Sequence, residues 1–339
     1  MRLVAVVDAS VSVPGLTDLS LYRSSATVPF AGRYRLIDFA LSNIVNSNIN
    51  SVGVFTTSPF VSLMDHIGMG KSWDLDRRKD GLFFLPSSHG ESQLSVGAFS
   101  ALEEHGNFFS KSRQEYVVVT NCFTICQLDF DDMLDAHIAS GADITEAVSD
   151  GVSLRNYILA KSLLVEMIKN YRDHHVVSVE DIVNLKKNSY KFGEYEYTGY
   201  LAIITTMDSY FKESMGLLDE KRWRSLFLRD RPVYTKVKDE PPTQYLAGSS
   251  VKKVLVANGS ILEGIVINSI ISRAVKINKN SKLDNCIIMQ KCVIEENCDL
   301  KYVIADKDVY IEAGTVLHGT KEKPIILRKG ERIVKEDAV

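Results

Sequence analysis

The sequence predicts an α/β domain with a mostly parallel sheet, followed by a parallel β-helix of hexapeptide repeats. In the first part, short β-branched runs alternate with helical patterns, and this order implies a parallel sheet covered by helices. Pro241 and Pro242 then interrupt the chain. Beyond them the apolar period changes to six, which is typical of a parallel β-helix. We therefore predict a sheet domain over residues 1–238, a linker over 239–250, the β-helix over 251–320 and a tail over 321–339.

Three short runs of the first part are predicted to be buried strands, because they are apolar and rich in β-branched residues: 3–7 (LVAVV), 52–56 (VGVFT) and 116–120 (YVVVT). A helix is predicted over 35–48, where apolar residues recur at helical spacing. A second helix is predicted over 129–140, since acidic residues at its start favour a helix N-terminus and Gly141 follows its end.

The six-residue period of the second part rests on three sets of aliphatic residues: Leu255, Ile261 and Ile267; Ile271, Ile277 and Leu283; and Ile288, Ile294 and Leu300. Two positions before the later sets stand smaller residues: Ser269, Val275, Ser281, Cys286, Cys292 and Cys298. These three cysteines take the position that serine fills in the neighbouring coil, so we predict that they line the core. Zinc sites more often use closely spaced cysteine pairs. Cys122 and Cys126 are also predicted to be packing thiols.

The 40 basic and 43 acidic residues give a formal net charge of −3. No run of like charge indicates a nucleic-acid surface, and no apolar segment approaches the roughly 20 residues of a membrane span. The apolar run at the start of the sequence is too short for a signal peptide. Five cysteines without a secretory signal fit reduced thiols. We therefore expect a cytoplasmic protein that binds neither nucleic acid nor membrane.

Two phosphate-binding patterns are incomplete. Residues 70–72 (GKS) match the end of a Walker A loop, but Asp65 stands where that loop requires a glycine. The loop after the first predicted strand, 8–15, has no glycine before its last residue, and its Pro14 lacks an N–H group. Phosphate-binding turns need glycines because backbone N–H groups must approach the phosphates. Around Trp73, the cluster WDLDRR predicts a solvated loop anchored by one tryptophan; the alternative is a ligand or partner contact.

The segment 30–43, FAGRYRLIDFALSN, closely resembles a signature of glucose-1-phosphate adenylyltransferases, also called ADP-glucose pyrophosphorylases. The segment EYVVV at 115–119 and residues around 133–142 are similar to the same family. The resemblance extends over nearly the whole chain. It implies a nucleotidyltransferase-like domain followed by a left-handed β-helix, in agreement with the division predicted above.

Four departures from the family pattern fall on its chemical groups. The signature sets a register that places 10–13 (SVSV) at the family's glycine-rich loop and Ser25 at a lysine that contacts substrate phosphates. Phe123 stands at the first metal-binding aspartate and Ile203 at the second. Phosphoryl-type transfer depends on charge neutralisation by Mg²⁺ and basic groups, and a phenylalanine has no oxygen to bind a hard cation. We therefore predict a degenerate site with no catalytic residue, no metal and no cofactor.

The resemblance implies a non-catalytic, regulatory-type subunit of glucose-1-phosphate adenylyltransferase in bacterial glycogen biosynthesis. Its catalytic partner would convert ATP and glucose 1-phosphate to ADP-glucose and pyrophosphate, with Mg²⁺ bound only in that partner, and a tetramer is implied. Arg33 matches a basic family position linked to activator phosphates, so Arg33 and Arg35 are expected to bind a phosphate-bearing effector. The alternative for Arg33 is solvation or an ion pair between subunits.

The family has further strands after the position of Thr145, one of them with a Glu-Lys pair that binds the sugar phosphate. Here 149–151 (SDG) leads almost at once into a helical pattern. Either the deletion is genuine or the sequence lacks these residues. In both cases no contact to glucose phosphate is assigned.

Two enzymatic alternatives stay open. A divergent but active sugar-phosphate nucleotidyltransferase would need a metal site built from other acids, such as Asp8 and Asp129. A hexapeptide acyltransferase would need a histidine as general base, and His318 is the only histidine of the predicted β-helix. Its position at the end of the last predicted coil, beside Gly319, disfavours that activity.

Overall fold

The computed structural model describes residues 2–88, 95–174, 176–186 and 189–334. The helices are α1 Thr17–Ser20, α2 Leu36–Asn46, α3 Val61–Ile67, α4 Phe99–Glu104, α5 Gly106–Lys111, α6 Phe130–Ser140, α7 Lys161–His174, α8 Val179–Asn184, α9 Met207–Gly216 and α10 Glu220–Leu226, with 3-10 turns at Ser25–Thr27 and Lys71–Trp73. Strands of the first part are β1 Leu3–Asp8, β2 Pro29–Phe30, β3 Tyr34–Arg35, β4 Ser51–Thr56, β5 Gly81–Pro86, β6 Tyr116–Asn121, β7 Thr124–Ile125, β8 Ile144–Ser149, β9 Val152–Ala160, β10 Phe192–Glu196 and β11 Ala202–Ile203. Within the described ranges, no helix is long and apolar enough to cross a membrane.

The central sheet has seven strands in the order β10-β8-β9-β6-β1-β4-β5. β9 is antiparallel to β6 and β8, and the other neighbours are parallel. β1, β4 and β6 confirm the three predicted strands, and apolar clusters cover both of their faces. Their carboxyl ends meet at one edge, where Asp8 lies beside Phe55 and Asn121.

Both predicted helices are present, as α2 and α6. α2 begins after Arg35, whose backbone N–H donates to the Asp38 carboxylate over 3.0 Å. The Asp129 side chain caps α6 by accepting from the backbone N–H groups of Asp131 and Asp132, and Gly141 ends the helix in the left-handed conformation. The polar residues at these positions therefore set the helix ends.

The short stretch after Thr145 is a closed β-hairpin. β8 and β9 pair antiparallel and are joined at Asp150 and Gly151, whose φ angles are 50° and 75°. Two successive residues with positive φ are typical of the tight turns that join hairpin strands. The chain thus returns directly along the sheet, with no further strand between these two.

The second part is a left-handed β-helix. Its strands are β12 Gln244–Tyr245, β13 Ser250–Val256, β14 Ile261–Leu262, β15 Ile265–Ile271, β16 Lys276–Ile277, β17 Lys282–Asp284, β18 Ile287–Ile288, β19 Val293–Ile294, β20 Asp299–Lys301, β21 Val303–Ala305, β22 Tyr310–Ile311, β23 Val316–His318, β24 Ile325–Leu327 and β25 Arg332–Ile333. One face is a six-stranded parallel sheet, and an eight-stranded sheet forms the remainder. The predicted aliphatic residues from Ile271 to Leu300 line its core.

In the first coil, the predicted core positions are each wrong by one residue. Leu262 and Val266, rather than Ile261 and Ile267, enter the core, because they pair with the core residues of the next coil. The corner between them is tight: a Cβ on Gly264 would lie 2.4 Å from a carbonyl oxygen of the next coil. Glycine permits this close approach, and the step is shortened there.

The β-helix cysteines have the packing role that their spacing predicts. All five cysteines of the chain are buried free thiols. The Cys292 Sγ donates to the carbonyl oxygen of Asp306 at 2.9 Å, just as the Ser281 Oγ donates to that of Glu295 at 2.6 Å. A thiol therefore replaces the serine hydroxyl as a donor to the next coil.

The coils extend past the expected bounds at both ends. β12 already pairs with β14, so the β-helix begins within the expected linker over 239–250. β24 and β25 pair with β21 and β22, so two strands lie in the expected tail over 321–339. The six-residue period is lost after Leu317 because a longer connection joins β23 to β24, although both strands then return to the ladder.

The β-helix packs on the sheet domain through apolar and charged contacts. Leu255 and Tyr302 pack against the apolar cluster of the sheet domain, and the Tyr302 ring centroid lies 6.3 Å from that of Phe211 on α9. Arg23 and Asp306 form an ion pair of 2.6 Å across the same interface. Polar groups of both domains are therefore brought together there.

Candidate functional site

At the carboxyl edge of the central sheet, a carboxylate of the chain itself accepts hydrogen bonds from the neighbouring loops. The buried Asp8 accepts from the Ser10 backbone N–H at 3.1 Å, the Ser10 hydroxyl at 2.5 Å and the Gly97 backbone N–H at 2.8 Å. Burial raises the pKa of Asp8. Backbone N–H groups at this edge of an α/β sheet commonly bind phosphates. Here two of them are bonded to Asp8 instead.

The loop after β1 is folded into the apolar core. Val11 is 5% exposed and Val13 is 1% exposed, and both belong to the cluster on that side of the sheet. Ser25 lies against this loop, its Oγ accepting from the Val13 backbone N–H at 3.4 Å. Gly15 contacts the chain opposite, because a Cβ there would lie 2.2 Å from the Thr205 carbonyl oxygen. The loop is therefore closed by apolar side chains and by backbone contact.

The structure brings together Phe123 and Ile203, the two positions expected to lack a metal-binding aspartate. Ile203 pairs with Thr124 across the β7–β11 ladder, and the Phe123 carbonyl oxygen accepts from the Ile204 backbone N–H at 2.8 Å. Phe123 is 3% exposed and packs in the core. Phe123 and Ile203 are therefore close in the fold, and the register at Ile203 stays a prediction.

A cation of the chain covers Phe123. The Arg155 guanidinium lies 5.4 Å from the centroid of the Phe123 ring, and its Nε is 3.1 Å from the Glu180 carboxylate. The second oxygen of that carboxylate accepts from the Val96 backbone N–H at 2.8 Å. Charged groups of this edge are thus engaged with one another.

The alternative metal site at Asp8 and Asp129 is not formed. Asp8 ends β1, whereas Asp129 lies beside Ser47, which precedes the start of β4, so the two carboxylates belong to opposite edges of the sheet. Asp129 is ion-paired with Arg231 at 2.5 Å. The sequence missed this separation because the chain after β7 runs back along the sheet before α6 begins. Among the described residues, no group of three or more His, Cys, Asp or Glu side chains could hold a metal ion.

Two further sequence candidates are surface or core features. His318 is exposed on β23, with its Nε2 3.2 Å from the Asp299 carboxylate. Trp73 is buried against the His66 ring in edge-to-face contact, while Arg77 and Asp74 pair on the surface beside it. The WDLDRR segment is thus a loop anchored by its tryptophan.

A second polar region lies between the two domains. We call it the basic cluster and define it by six side chains: Arg23, Arg33, Arg35, Lys238, Arg273 and Lys307. Sequence reasoning found Arg33 and Arg35, and the other four were missed because they come from distant segments. One signal was available, since Arg273 and Lys307 occupy the same corner of the β-helix two coils apart.

The centre of the basic cluster is the buried pair of Arg23 and Asp306. Their side chains are 4% and 2% exposed, and one guanidinium nitrogen, Nη2, contacts the carboxylate at 2.6 Å. The other nitrogen, Nη1, is buried without a hydrogen-bond partner. A buried guanidinium N–H without an acceptor is costly. The geometry therefore leaves a donor of Arg23 available to a bound oxygen.

The remaining cations surround this pair. Arg35 donates through Nη1 to the Ser62 carbonyl oxygen at 2.9 Å, and burial lowers the pKa of Arg35 to about 10. Burial and the nearby Arg35 and Arg23 lower the pKa of Lys307 to about 7. The pKa values of Lys238 and Arg273 are also lowered, chiefly by burial. In each of these four groups, burial is the largest cause of the lowered pKa, and a neighbouring cation adds to it.

Comparison with known proteins agrees with this division of the chain. Residues 15–156 match the nucleotidyl transferase family, and residues 241–323 match the GlmU-like, C-terminal hexapeptide family. The chain is 45% identical over 330 residues to the glycogen biosynthesis protein GlgD of Bacillus subtilis (strain 168), covering 97% of this chain and 96% of that protein. It is 49% identical over 331 residues to the GlgD of Geobacillus stearothermophilus, with the same coverage. The chain belongs to the GlgD family.

More distant similarity connects the GlgD family with an enzyme. The chain is 27% identical over 345 residues to the glucose-1-phosphate adenylyltransferase of Bacillus anthracis, covering 90% of this chain and 92% of that protein. The near-complete alignment with GlgD of B. subtilis leaves no room in that relative for several additional strands after Thr145.

Proposed function

We propose that this chain is a non-catalytic, regulatory subunit of glucose-1-phosphate adenylyltransferase in glycogen biosynthesis. The observation that carries the proposal is the filled carboxyl edge of the sheet, where Val11, Val13 and Phe123 pack in the core. The Asp8 carboxylate also accepts hydrogen bonds from backbone N–H groups of the adjoining loops. The names of the relatives support the pathway and the family.

Catalysis is assigned to a partner chain of the same family. Phosphoryl-type transfer needs Mg²⁺ held by carboxylates, and the two corresponding positions here carry Phe123 and Ile203. The partner would bind Mg²⁺ and convert ATP and glucose 1-phosphate to ADP-glucose and pyrophosphate. The two kinds of chain would assemble as a tetramer, in which this chain changes the rate or the effector response of the partner.

The basic cluster is the proposed site for a phosphate-bearing effector. Its six cations have only a few carboxylates near them: Asp306 is paired with Arg23, and Asp38 accepts from the Arg35 backbone and from His66. An anion with two charges would offset this excess, and its oxygens would accept from the free Arg23 N–H. Arg33 is exposed at the side of Arg273, where it would contact an entering phosphate.

The test is ADP-glucose synthesis by the purified chain, alone and mixed with a catalytic chain from the same cell. We expect no turnover by this chain alone, and a changed rate or effector response in the mixture. Turnover by this chain alone that EDTA abolishes would contradict the proposal, because a metal would then be bound at an active site.

Arg33→Ala is expected to weaken the effector response of the mixture severalfold, because a cation at the mouth of the basic cluster is lost. Arg113→Ala is the matched control, since Arg113 is exposed just before β6, at the amino edge of the sheet. An effector response that is the same for Arg33→Ala and the unmodified chain would remove Arg33 from the effector site.

A further inference from the structure

A cavity opens beside β5, the last strand at one side of the central sheet. Its volume is about 330 Å³, which lies within the size range of small-molecule sites. β5 and α5 form its two sides, and its lining residues differ from those of the basic cluster and of the filled carboxyl edge. The sheet domain therefore carries a space for a small molecule that the proposed function does not use.

Two aromatic rings form the apolar part of this cavity. Phe83 on β5 and Phe108 on α5 meet edge to face, with their ring centroids 5.6 Å apart. Gly53 on the next strand leaves room for them, because a Cβ there would lie 3.0 Å from the Phe108 ring and 2.7 Å from a methyl carbon of Leu85. Phe83 remains 43% exposed. It therefore offers a flat apolar surface to a ligand.

At the amino end of β5, the lining is polar and carries both signs of charge. Asp80, Lys111 and Ser112 line the cavity there. Gln114 connects two of them, because it accepts from the Ser112 hydroxyl at 2.6 Å and donates to the Asp80 carboxylate at 3.5 Å. A carboxylate can accept about four hydrogen bonds, so Asp80 can also accept from a hydroxyl group of a ligand.

At the carboxyl end of the same strand, the lining is again polar. The Glu104 carboxylate accepts from the Ser88 backbone N–H at 3.1 Å, and the His105 Nε2 lies 2.9 Å from the Pro86 carbonyl oxygen. The His105 ring also contacts that of Phe55 edge to face, with centroids 5.6 Å apart. These contacts hold both polar side chains beside the aromatic pair.

This lining favours a neutral ligand that carries several hydroxyl groups. An anion would meet the carboxylates of Asp80 and Glu104, and a cation would meet the ammonium group of Lys111. A hydroxyl group both donates and accepts, so it can bond to groups of either sign. Sugars combine several hydroxyl groups with an apolar C–H face, and that face can pack on an aromatic ring such as Phe83.

We propose that the cavity beside β5 binds a neutral oligosaccharide, a chain of α-linked glucose units of the kind that glycogen contains. A glucose ring would lie against Phe83, with its hydroxyl groups bonded to Asp80 at one end and Glu104 at the other. The choice of glucose rests on the proposed function in glycogen biosynthesis, whereas the preference for a neutral sugar rests on the cavity alone. Binding would hold the subunit, and the enzyme assembled with it, at the polymer.

The experiment is binding of maltoheptaose to the full chain, measured by calorimetry at low and at high salt. We expect saturable binding with the same affinity at both salt concentrations, because salt screens charges and the ligand has none. Retardation of the chain in a native gel that contains glycogen tests the polymer itself. Maltoheptaose binding that weakens strongly with salt would overturn the assignment of a neutral-sugar site.

Two substitutions locate the sugar. Phe83→Ala removes the exposed ring and should weaken maltoheptaose binding about tenfold. Tyr245→Ala is the matched control, because it removes a 56% exposed aromatic ring from β12 and should bind as the unmodified chain does. If Phe83→Ala fails to fold, Asp80→Gly removes an exposed carboxylate at a φ of 61°, which glycine adopts without strain, and should weaken binding severalfold.

The outcomes separate this inference from the proposed function. No binding of maltoheptaose by the unmodified chain overturns the sugar site and leaves the regulatory role standing, because ADP-glucose synthesis by the mixture tests that role independently. Equal affinities of Phe83→Ala and the unmodified chain, or equal losses in Phe83→Ala and Tyr245→Ala, also overturn the site. Binding that depends on Phe83, in a chain without effect on the catalytic partner, supports the sugar site and contradicts the proposed function alone.

Discussion

The carboxyl edge of the central sheet and the basic cluster between the domains both bring together polar groups from distant segments. They differ in whether those groups find partners within the chain. At the sheet edge, Asp8 accepts from loop backbone N–H groups, Arg155 pairs with Glu180, and apolar side chains fill the space between. In the basic cluster, cations outnumber their partners, and a buried N–H of Arg23 has no acceptor. Polar groups that already bond to one another gain little from a ligand. A cluster with excess positive charge and a donor without an acceptor would be stabilised by a bound anion.

The difference also separates stability from function. Mutually satisfied groups stabilise the fold, because a buried polar atom with a partner avoids the cost of lost hydration. Like charges held together cost stability and persist where binding requires them. Removing a cation from the basic cluster is therefore expected to raise stability, whereas removing its carboxylate or disturbing the sheet edge is expected to lower it. Three measurements can break or sharpen this contrast.

The largest effect is expected for Asp306→Ala. Removing the carboxylate leaves the Arg23 guanidinium buried among like charges, which should lower the free energy of unfolding by about 3–5 kcal/mol. Urea denaturation measures it. Asp299→Ala is the control in the same β-helix, because its pair with His318 is exposed and should matter by less than about 1 kcal/mol. Equal losses for the two variants would mean that the cluster is not electrostatically strained.

A smaller loss is expected for Gly15→Ala at the sheet edge. The new Cβ would lie 2.2 Å from the Thr205 carbonyl oxygen, so the backbone must move, at a cost of about 1–3 kcal/mol. Gly106→Ala is the control, since nothing lies within 4 Å of its Cβ position. If both alanines are tolerated equally, the loop after β1 is not held closed, and the contrast between the regions weakens.

The smallest effect, and one of opposite sign, is expected for Lys307→Met. The folded-state pKa of Lys307 is lowered to about 7, so the unfolded chain binds more protons from there up to the ordinary lysine pKa. The stability of the unmodified chain therefore rises with pH through that window, and the penalty is complete below it. The full shift would correspond to about 5 kcal/mol, but solvent screening of the half-buried side chain reduces the expected gain of Lys307→Met to the order of 1 kcal/mol at pH 6. Nothing is gained near pH 10. Thermal unfolding across pH tests this, and a loss at pH 6 would contradict it.

Much of the fold could be predicted from local patterns. The β-branched runs located β1, β4 and β6, and the six-residue period located the β-helix core from Ile271 onward. The period failed where one glycine shortened a corner, at Gly264, and where a longer connection followed β23. Such departures depend on contacts with the next coil, which a linear pattern does not contain.

The candidate site was predictable only in part, for a similar reason. The register with a long signature predicts losses at Ser25, Phe123 and Ile203, and the structure pairs Ile203 with Thr124, the residue after Phe123. The role of Asp8 was missed because its partner Gly97 is 89 residues away. The basic cluster was found only at Arg33 and Arg35, since Arg23 meets Asp306 across 283 residues.

The packing of Tyr302 against α9 has a consequence for how the β-helix can vary in length. Successive coils are stacked at a strand spacing of about 4.8 Å, so each coil that contacts the sheet domain meets it at a fixed height along the β-helix axis. A coil inserted between Arg273 and Lys307 would move Lys307 and Asp306 by one strand spacing away from Arg23. The 2.6 Å contact between Arg23 and Asp306 would then be lost. Coils added after β25 would leave the contacts of Tyr302, Asp306 and Lys307 with the sheet domain unchanged. The β-helix can therefore be lengthened at that end without disturbing the interface.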